Sequence, residues 1–379
     1  MFKYVLLFLF GNCLFAQNVT TYFDAPSVDV DDSMVFDADG NLYGSNFIGT
    51  TVYKITPDGV ATPFITGLEN PNGLAFDDDG NLFLSEFSAS RINKYDSNGN
   101  LLESFTINGL PSGLTRAFEG DAMIFTNVSN NSVNRLDADG TITEIYQGAP
   151  LNAPVGLTYD EDGVLYVGNF TGREIYKLVG DDAIFIATIP DGGATGGNDA
   201  LGFIVYVDGR IYGTNFGGHQ IYSVNPDGED DFFVFAGSDQ GNQDGSLSEA
   251  TFNTPNGIIY NETEDALFIS EFSGEGNIRR IDDITLGIQD FSSDFQVIAS
   301  PNPVTDIVHI TTNKNLDMSN TDIRLYDNLG RSLLKSVNVQ AKDSNTVTVD
   351  MSSYIPGVYF LKIMDSRGQM DVIKLLKER

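Results

Sequence analysis

Amide and carboxylate side chains recur at matching places in this 379-residue chain, and their spacing gives the first indication of chemistry. One set ends a short apolar run each time: Asn46, Glu86, Asn127, Asn169, Asn215 and Glu271. We call this set the second-strand ring, after the strands predicted below. Because most members are Asn, we expect a shared structural role, in which the side chain caps a turn by hydrogen bonds to the backbone. Glu86 and Glu271 depart from Asn and are the candidate catalytic carboxylates.

A second set begins another apolar run, and we call it the first-strand ring. Its members are Asp32, Asn72, Ser112, Val155, Leu201 and Asn256. Asp32, Asn72 and Asn256 fall on consecutive repeats, which predicts a polar side facing an apolar one. A concave site with a few converging polar groups is the usual form of a ligand pocket. A second interpretation stays open, because the Pro-Asn-Gly at 71–73 and 255–257 also makes a good turn into a strand.

The elements that must position both rings are short β-strands in a repeat. An apolar strand, an acidic Gly turn and a second strand recur at 33–47, 72–87, 112–128, 155–170, 201–216 and 256–272. A third strand follows each copy, and a fourth follows the first five. Four short strands every forty or so residues predict an all-β fold with a six-bladed β-propeller over residues 18–286.

The register of the first hairpin predicts that both rings lie at one end of the propeller. Residue 76 is expected to oppose 81 in a two-residue Asp-Gly hairpin, so that 71 opposes 86. Since first strands line the channel of a propeller, the first-strand ring should lie at the channel mouth. The sixth repeat lacks a fourth strand, and residues 19–26 resemble the fourth strands elsewhere. We therefore expect the N-terminus to close the ring of blades, which removes open edges.

Charge and composition exclude several functions. Residues 18–295 hold 10 Lys and Arg against 44 Asp and Glu, and the whole chain has a net charge of −32. So acidic a surface repels nucleic acid and anionic membranes, keeps a secreted protein soluble, and could also attract Ca²⁺ or cationic partners. The chain has two histidines, His219 and His309, and contains no Gly-x-Ser-x-Gly elbow, P-loop or dinucleotide fingerprint.

The propeller region resembles the NHL-repeat and gluconolactonase-like group. The resemblance rests on Ala236-Gly237, Asp244-Gly245 and the phrase at 250–258, and covers residues 18–286. It implies a divalent cation in the mouth with Asp32, Asn72 and Asn256 as Ca²⁺ ligands, all of them hard oxygen donors. The cation would polarise a lactone or ester carbonyl while Glu86 or Glu271 acts as base. A lone His219 cannot form the histidine pair of lyase-type relatives, which argues against a streptogramin-lyase-like reaction.

Both ends of the chain indicate export. Residues 1–17 have the cationic start, apolar core and small-residue cleavage site of a signal peptide, and a lipoprotein anchored at Cys13 is the alternative. After a linker at 287–296, residues 297–379 are similar to the type A C-terminal sorting domain of Bacteroidetes type IX secretion. This resemblance rests on Ser300-Pro301-Asn302-Pro303, the run at 325–331, the run at 356–363 and the basic end at 374–377. Its alternating strands predict a small Ig-like β-sandwich.

The sequence therefore predicts a secreted or cell-surface protein with no transmembrane segment in the mature chain and no nucleic-acid partner. Its partners would be the type IX secretion machinery, through residues 297–379, and an extracellular protein, glycan or small molecule. We favour a ligand- or partner-binding module. The alternative is a Ca²⁺-dependent lactonase with the metal in the channel mouth, and a structural surface component is a third class.

Overall fold

The computed structural model describes residues 17–191, 200–227, 230–273, 277–285, 297–312, 321–326, 333, 339–341, 345–364 and 370–378. Within these ranges every regular element is a β-strand, which confirms the predicted all-β class. Residues 1–16 of the expected signal peptide and the linker at 287–296 lie outside the described residues. No helix in the described ranges is long and apolar enough to cross a membrane.

Short strands fill the region up to residue 282. The first thirteen are β1 (Asn18–Asp24), β2 (Met34–Phe36), β3 (Leu42–Asn46), β4 (Thr51–Ile55), β5 (Ala61–Thr66), β6 (Pro71–Phe76), β7 (Leu82–Glu86), β8 (Arg91–Tyr95), β9 (Leu101–Thr106), β10 (Pro111–Arg116), β11 (Met123–Asn127), β12 (Ser132–Leu136) and β13 (Ile142–Gln147). The next twelve are β14 (Pro154–Tyr159), β15 (Leu165–Asn169), β16 (Glu174–Val179), β17 (Asp182–Thr188), β18 (Leu201–Val207), β19 (Arg210–Asn215), β20 (Gln220–Val224), β21 (Phe232–Ala236), β22 (Gly245–Ser246), β23 (Pro255–Asn261), β24 (Ala266–Glu271) and β25 (Asn277–Asp282).

These strands form antiparallel sheets whose order follows the sequence. Sheet 1 is β2–β5, sheet 2 is β6–β9, sheet 3 is β10–β13, sheet 4 is β14–β17 and sheet 5 is β18–β21. Sheet 6 has the order β22-β1-β25-β24-β23. Repeated four-stranded antiparallel sheets of this kind are the blades of a β-propeller, as the repeat predicts.

The acidic Gly turn between first and second strands differs from the predicted two-residue hairpin. The N–H of Asp77 donates to the carbonyl of Asn81 (3.0 Å), so three residues form the loop, with Gly80 at φ 78°. The Asp77 carboxylate accepts the Asn81 N–H (2.8 Å) and thereby fixes the longer loop. Phe76 consequently pairs with Leu82 rather than with residue 81. The glycine has the expected role, because this loop needs a left-handed residue.

The first strands lie side by side around a common axis. β6 contacts β2 and β10, β14 contacts β10 and β18, and β23 contacts β18 and β2. Glycine permits this approach, because an added Cβ at Gly73 or Gly113 would lie only 2.3 or 1.9 Å from a backbone oxygen of the neighbouring first strand. At Gly257 it would lie 2.1 Å from the carbonyl oxygen of Asp32, just before β2. The hydrophobic clusters then lie between neighbouring sheets, and one of them joins sheets 6 and 1 through Met34, Leu42 and Phe268.

The N-terminal strand completes sheet 6, as predicted. β1 pairs antiparallel with β25, where Val19 opposes Ile281 and Asp24 opposes Asn277. On its other side β1 pairs with the short β22. Val19 is fully buried in the core shared by sheets 5 and 6. The edge that β25 would otherwise expose is therefore covered by the start of the chain.

The C-terminal region forms two further antiparallel sheets. Its strands are β26 (Val297–Ser300), β27 (Ile307–Thr312), β28 (Asp322–Tyr326), β29 (Val339–Ala341), β30 (Thr346–Asp350), β31 (Gly357–Met364) and β32 (Met370–Lys377). One sheet has the order β26-β27-β30-β29, and the other has β28-β31-β32. Val308, Val349, Leu325 and Leu361 are fully buried in one core that both sheets share.

Candidate functional site

The two rings lie at the same end of the propeller, which we call the upper end. Pro71 pairs with Glu86 and Pro255 with Glu271. The first of these pairings is predicted, but from a wrong register: Phe76 pairs with Leu82, and an irregularity between Pro71 and Leu74 brings Pro71 back opposite Glu86. All six side chains of the first-strand ring are buried, with exposed fractions between 0% and 8%. The polar members are therefore enclosed in the packed part of the channel.

The three predicted metal ligands do not form one cluster, because Asp32 and Asn256 are neighbours and Asn72 pairs with Ser112 instead. Asn256 donates from Nδ2 to the carbonyl of Asp31 (3.0 Å). Its amide also lowers the pKa of the neighbouring Asp32 carboxyl, against the larger effect of burial. Asn72 accepts at Oδ1 from the Ser112 hydroxyl (3.2 Å) on the other side. Asp32 and Asn256 thus lie together, whereas the amide of Asn72 is turned to Ser112.

Asp32 is the member with unused hydrogen-bonding capacity. Its Oδ1 is buried and has no hydrogen-bond partner among the described residues. Burial, with the nearby Asp31 carboxylate as the second cause, raises the pKa of Asp32 well above its ordinary value. Burial also raises the pKa of Asp31 to about 7, although the backbone N–H groups of Phe47 and Ile48 oppose the shift. Two adjacent buried carboxyls disfavour a double negative charge.

This donor set falls short of a calcium site. Ca²⁺ takes 6–8 oxygen ligands. The side chains of Asp32, Asn72 and Asn256 carry four oxygens between them, and the Asn72 oxygen already accepts a hydrogen bond from Ser112. Among the described residues, no group of three or more His, Cys, Asp or Glu is placed to hold a metal. We therefore derive no chemical step through a cation here.

The second-strand ring has the capping role that the sequence predicts. Asn46 accepts the Gly49 N–H (2.7 Å) and Asn215 accepts the Gly218 N–H (3.0 Å), both in the following turn. Asn127 instead accepts the Leu110 N–H (3.0 Å), in the loop that enters the first strand. Glu86 accepts the Glu69 N–H (2.9 Å) and Glu271 the Asn253 N–H (2.8 Å) in the same loop of their own sheets. Both Glu residues therefore make the contact that Asn makes elsewhere.

Each Glu also faces an arginine of its own sheet. Arg91 holds Glu86 with two hydrogen bonds (2.8 and 3.0 Å), and Asn93 donates a third (2.5 Å). The pair lines a side groove of about 410 Å³. Arg279 lies 3.6 Å from Glu271, both are fully buried, and Glu271 Oε2 has no partner among the described residues. Burial raises the pKa of Glu271 to about 7. A catalytic role for either Glu stays a prediction.

A cluster of phenylalanines covers the upper end, and the sequence reasoning missed it. The residues that follow the second-strand ring are Phe47, Phe87, Val128, Phe170, Phe216 and Phe272. Neighbouring rings touch, with centroids 5.4 Å apart for Phe47 and Phe87 and 5.3 Å for Phe216 and Phe272. The signal was present, because an aromatic residue occupies this place in five of the six repeats.

A cavity of about 810 Å³ occupies the other part of the channel. Residues of the first strands and of the turns at 37–40 and 261–264 line it, so it opens at the end that we call the lower end. None of Asp32, Asn72, Asn256, Glu86 and Glu271 belongs to its lining. The volume falls within the range of small-molecule sites. This cavity therefore opens at the end of the channel opposite to the predicted mouth.

His219 has a structural environment. Its Nδ1 accepts the Thr254 N–H (3.0 Å), and burial lowers its pKa. The ring nitrogen that faces the backbone is therefore an acceptor in the neutral form. The residue has φ 57°, in the turn between β19 and β20. His309 lies in β27 of the C-terminal region, where its ring is 3.3 Å from the Thr348 hydroxyl.

Two family models match the sequence. The virginiamycin B lyase family matches residues 12–240, and the secretion system C-terminal sorting domain matches residues 300–378. No curated protein matches. The C-terminal match indicates export to the cell surface or the extracellular space through type IX secretion.

Solved structures share the propeller. An auxiliary nutrient binding protein from Bacteroides ovatus is 15% identical, with a TM-score of 0.59 over 70% of this chain and 76% of that one. A gluconolactonase from Xanthomonas campestris is 18% identical, with a TM-score of 0.54 over 70% and 89%. Virginiamycin B lyase from Staphylococcus aureus is 18% identical, with a TM-score of 0.50 over 66% and 79%. At these identities the likeness establishes a common fold.

Proposed function

The chain belongs to the virginiamycin B lyase family, and from that premise we propose that it is an exported six-bladed propeller that binds a ligand in the lower channel cavity. The cavity is the observation that carries the proposal. It combines a volume of about 810 Å³ with walls made by the first strands of several sheets. A pocket walled by packed strands is largely pre-formed, which lowers the entropic cost of binding.

The six-blade count is supported by the contacts between first strands. They run in a circuit from β2 through β6, β10, β14, β18 and β23 and return to β2. The hydrophobic cluster between sheets 6 and 1 supports the same closure. For the C-terminal region, the two sheets and their shared core support the predicted Ig-like sandwich.

Binding rather than lyase chemistry is supported by the state of the one propeller histidine. His219 is engaged with the backbone of Thr254 and has a lowered pKa. The two candidate carboxylates, Glu86 and Glu271, are each held by an arginine and lie outside the cavity. The nutrient-binding protein of the same fold illustrates that such a propeller can serve as a binding module.

The test fills the cavity and leaves the fold intact. Thr115 lines the cavity, and Thr143 is exposed on the outer strand of the same sheet. We expect compounds from a library of sugars, amino acids and short peptides to raise the melting temperature of the wild type and of Thr143→Trp, but not of Thr115→Trp. Compounds that shift all three proteins equally would contradict binding in this cavity.

The alternative is a Ca²⁺-dependent lactonase with Asp32, Asn72 and Asn256 as ligands, and one observation favours it. The unpartnered, buried Oδ1 of Asp32 is the kind of atom that a cation would satisfy. If the ion binds the native state, millimolar Ca²⁺ must raise the melting temperature, and Asn72→Ala with Asn256→Ala must abolish the rise. An unchanged wild-type melting temperature would exclude this function.

A further inference from the structure

We infer that the lower cavity takes an organic cation with an apolar or aromatic body, an inference that rests on the proposed function of that cavity. The cavity has an apolar wall, aromatic side chains at its opening and negative charges around that opening.

The inner wall of the cavity is apolar. Leu74, Leu114, Leu157, Phe203 and Ile258 line it from five different first strands, and all five are buried. Thr115 and Thr158 add hydroxyls, but Thr158 Oγ1 already accepts the Tyr206 N–H (2.9 Å). A ligand with an apolar surface would bind such a wall best, because each Å² of apolar surface that is buried contributes about 25 cal/mol to the binding free energy.

Aromatic side chains concentrate at the opening. Phe36, Phe76 and Tyr159 end their first strands and Tyr260 is the penultimate residue of β23, and all four line the cavity. Beside Tyr159, at 5.8 Å between ring centroids, Phe118 is 52% exposed in the turn of sheet 3. An exposed aromatic at the edge of a cavity is available to a ligand, and aromatic faces attract cations as well as apolar groups.

The charge at the opening is negative. The lining contains Asp37, Asp39, Glu262 and Glu264 against one cation, Arg116. Arg116 is itself paired with Asp78, so it leaves little net positive charge for an anionic ligand. Asp39 and Glu262 are exposed and lie in turns without a cationic residue. A cleft lined by one sign of charge raises the local concentration of the opposite ion.

The geometry favours an organic cation over a metal ion. No group of three or more acidic, His or Cys side chains in the described part of the chain is placed to hold a metal. Asp37 and Glu264 are also engaged by Lys54 and Arg280 respectively. Separated carboxylates around an apolar cavity suit a diffuse charge on an apolar body, such as an arylalkylammonium group.

The experiment compares three probes that differ mainly in their head group: 2-phenylethylammonium, 2-phenylethanol and 3-phenylpropanoate. Calorimetric titration of the mature full chain should give about tenfold tighter binding of the cation than of the anion at low salt, with a smaller ratio at 0.2 M NaCl. The double variant Asp39→Asn, Glu262→Gln should reduce that ratio by about threefold. Thr115→Trp should abolish binding of the cation, and Thr143→Trp should preserve it.

The outcomes separate the inference from the proposed function. If the anion or the alcohol binds as tightly as the cation, and Thr115→Trp blocks it, the cavity binds ligands but the cationic class is wrong. If 2-phenylethylammonium binds equally to the wild type and to Thr115→Trp, it binds outside the cavity and the inference is refuted. If it binds neither protein, the cationic class is wrong, and the ligand screen with Thr115→Trp decides the cavity site separately.

Discussion

Glu86 and Glu271 occupy the same place in two sheets, yet their partners differ. Arg91 and Asn93 bond directly to Glu86, whereas Glu271 faces Arg279 at 3.6 Å and keeps one oxygen without a partner among the described residues. The less complete environment explains why burial, with only partial compensation, raises the pKa of Glu271 to about 7. The two glutamates therefore differ in how completely their carboxylates are hydrogen-bonded by neighbouring side chains.

The raised pKa of Glu271 has a consequence for stability. Between about pH 4.5, its ordinary pKa, and pH 7, the folded state binds a proton that the unfolded state has released. The free energy of unfolding must therefore fall as pH rises through this window, by a contribution of about 2 kcal/mol. Glu271→Gln should reduce the slope by this contribution in urea titrations at pH 5, 6 and 7 and leave the part that comes from the raised pKa values of Asp31 and Asp32.

The matched control is Glu86→Gln, which removes the negative charge that pairs directly with Arg91. It should lower stability at all three pH values by about 2 kcal/mol and preserve the slope that comes from Glu271. A Glu271→Gln variant whose slope equals that of the wild type would show that Glu271 is ionised in the folded state throughout.

At the scale of elements, the spacing of the first strands determines how much room the upper end of the channel has for a ligand. Their backbones approach so closely that Gly113 has the carbonyl oxygen of Val155 only 1.9 Å from an added Cβ. This contact leaves little room in the upper channel, which is why Asp32 and Asn72 are buried. The cavity forms only further along the same strands, where larger side chains stand between the sheets.

The close approach of the first strands can be tested by adding one methyl group at Gly113. Gly113→Ala should lower the free energy of unfolding by about 3 kcal/mol, because sheets 3 and 4 must separate to admit the Cβ. Gly245→Ala, at a site where the nearest atom is 3.6 Å away, should change it by less than about 1 kcal/mol. Equal effects in urea denaturation would mean that the first strands are not closely packed at Gly113.

The sequence predicted the elements better than the site for a physical reason. Repeat spacing and alternation depend on local pattern, so the sheets follow from it. The pairing of Pro71 with Glu86 does not, because the predicted register is one residue off and an irregularity between Pro71 and Leu74 compensates for it. The burial of Asn72 depends on the distance between sheets, which no local pattern reports. The turn at 77–80 is longer than predicted because the Asp77 carboxylate accepts a hydrogen bond from the Asn81 N–H. The prediction of a two-residue turn did not consider this hydrogen bond.

At the scale of the whole molecule, the ring is held together at the junction of sheets 5, 6 and 1. β1 provides the outer pairing of sheet 6, and Thr21 of β1 also donates to Asp244 (2.9 Å) beside β22. Residues 19 and 281 pair directly, although almost the whole propeller sequence separates them along the chain. The stability of the ring should therefore depend strongly on a seven-residue strand.

Two substitutions in that strand distinguish closure from a passive surface contact. Val19 is fully buried between sheets 5 and 6, and its neighbour Thr20 is exposed. Val19→Asp should lower the free energy of unfolding by about 3 kcal/mol or more, because it buries an unpaired carboxylate. Thr20→Asp carries the same charge on the solvent side and should change it by less than about 1 kcal/mol.

A deletion with rescue completes the argument for closure. Removal of residues 18–26 exposes the edge of β25, so the melting temperature should fall and aggregation should increase. A synthetic peptide of residues 17–26 should bind the deleted protein and restore its melting temperature, because it supplies the missing pairing in trans. The same peptide with Asp at position 19 should not restore it. Unchanged stability after the deletion would show that the other sheets hold the ring closed without β1.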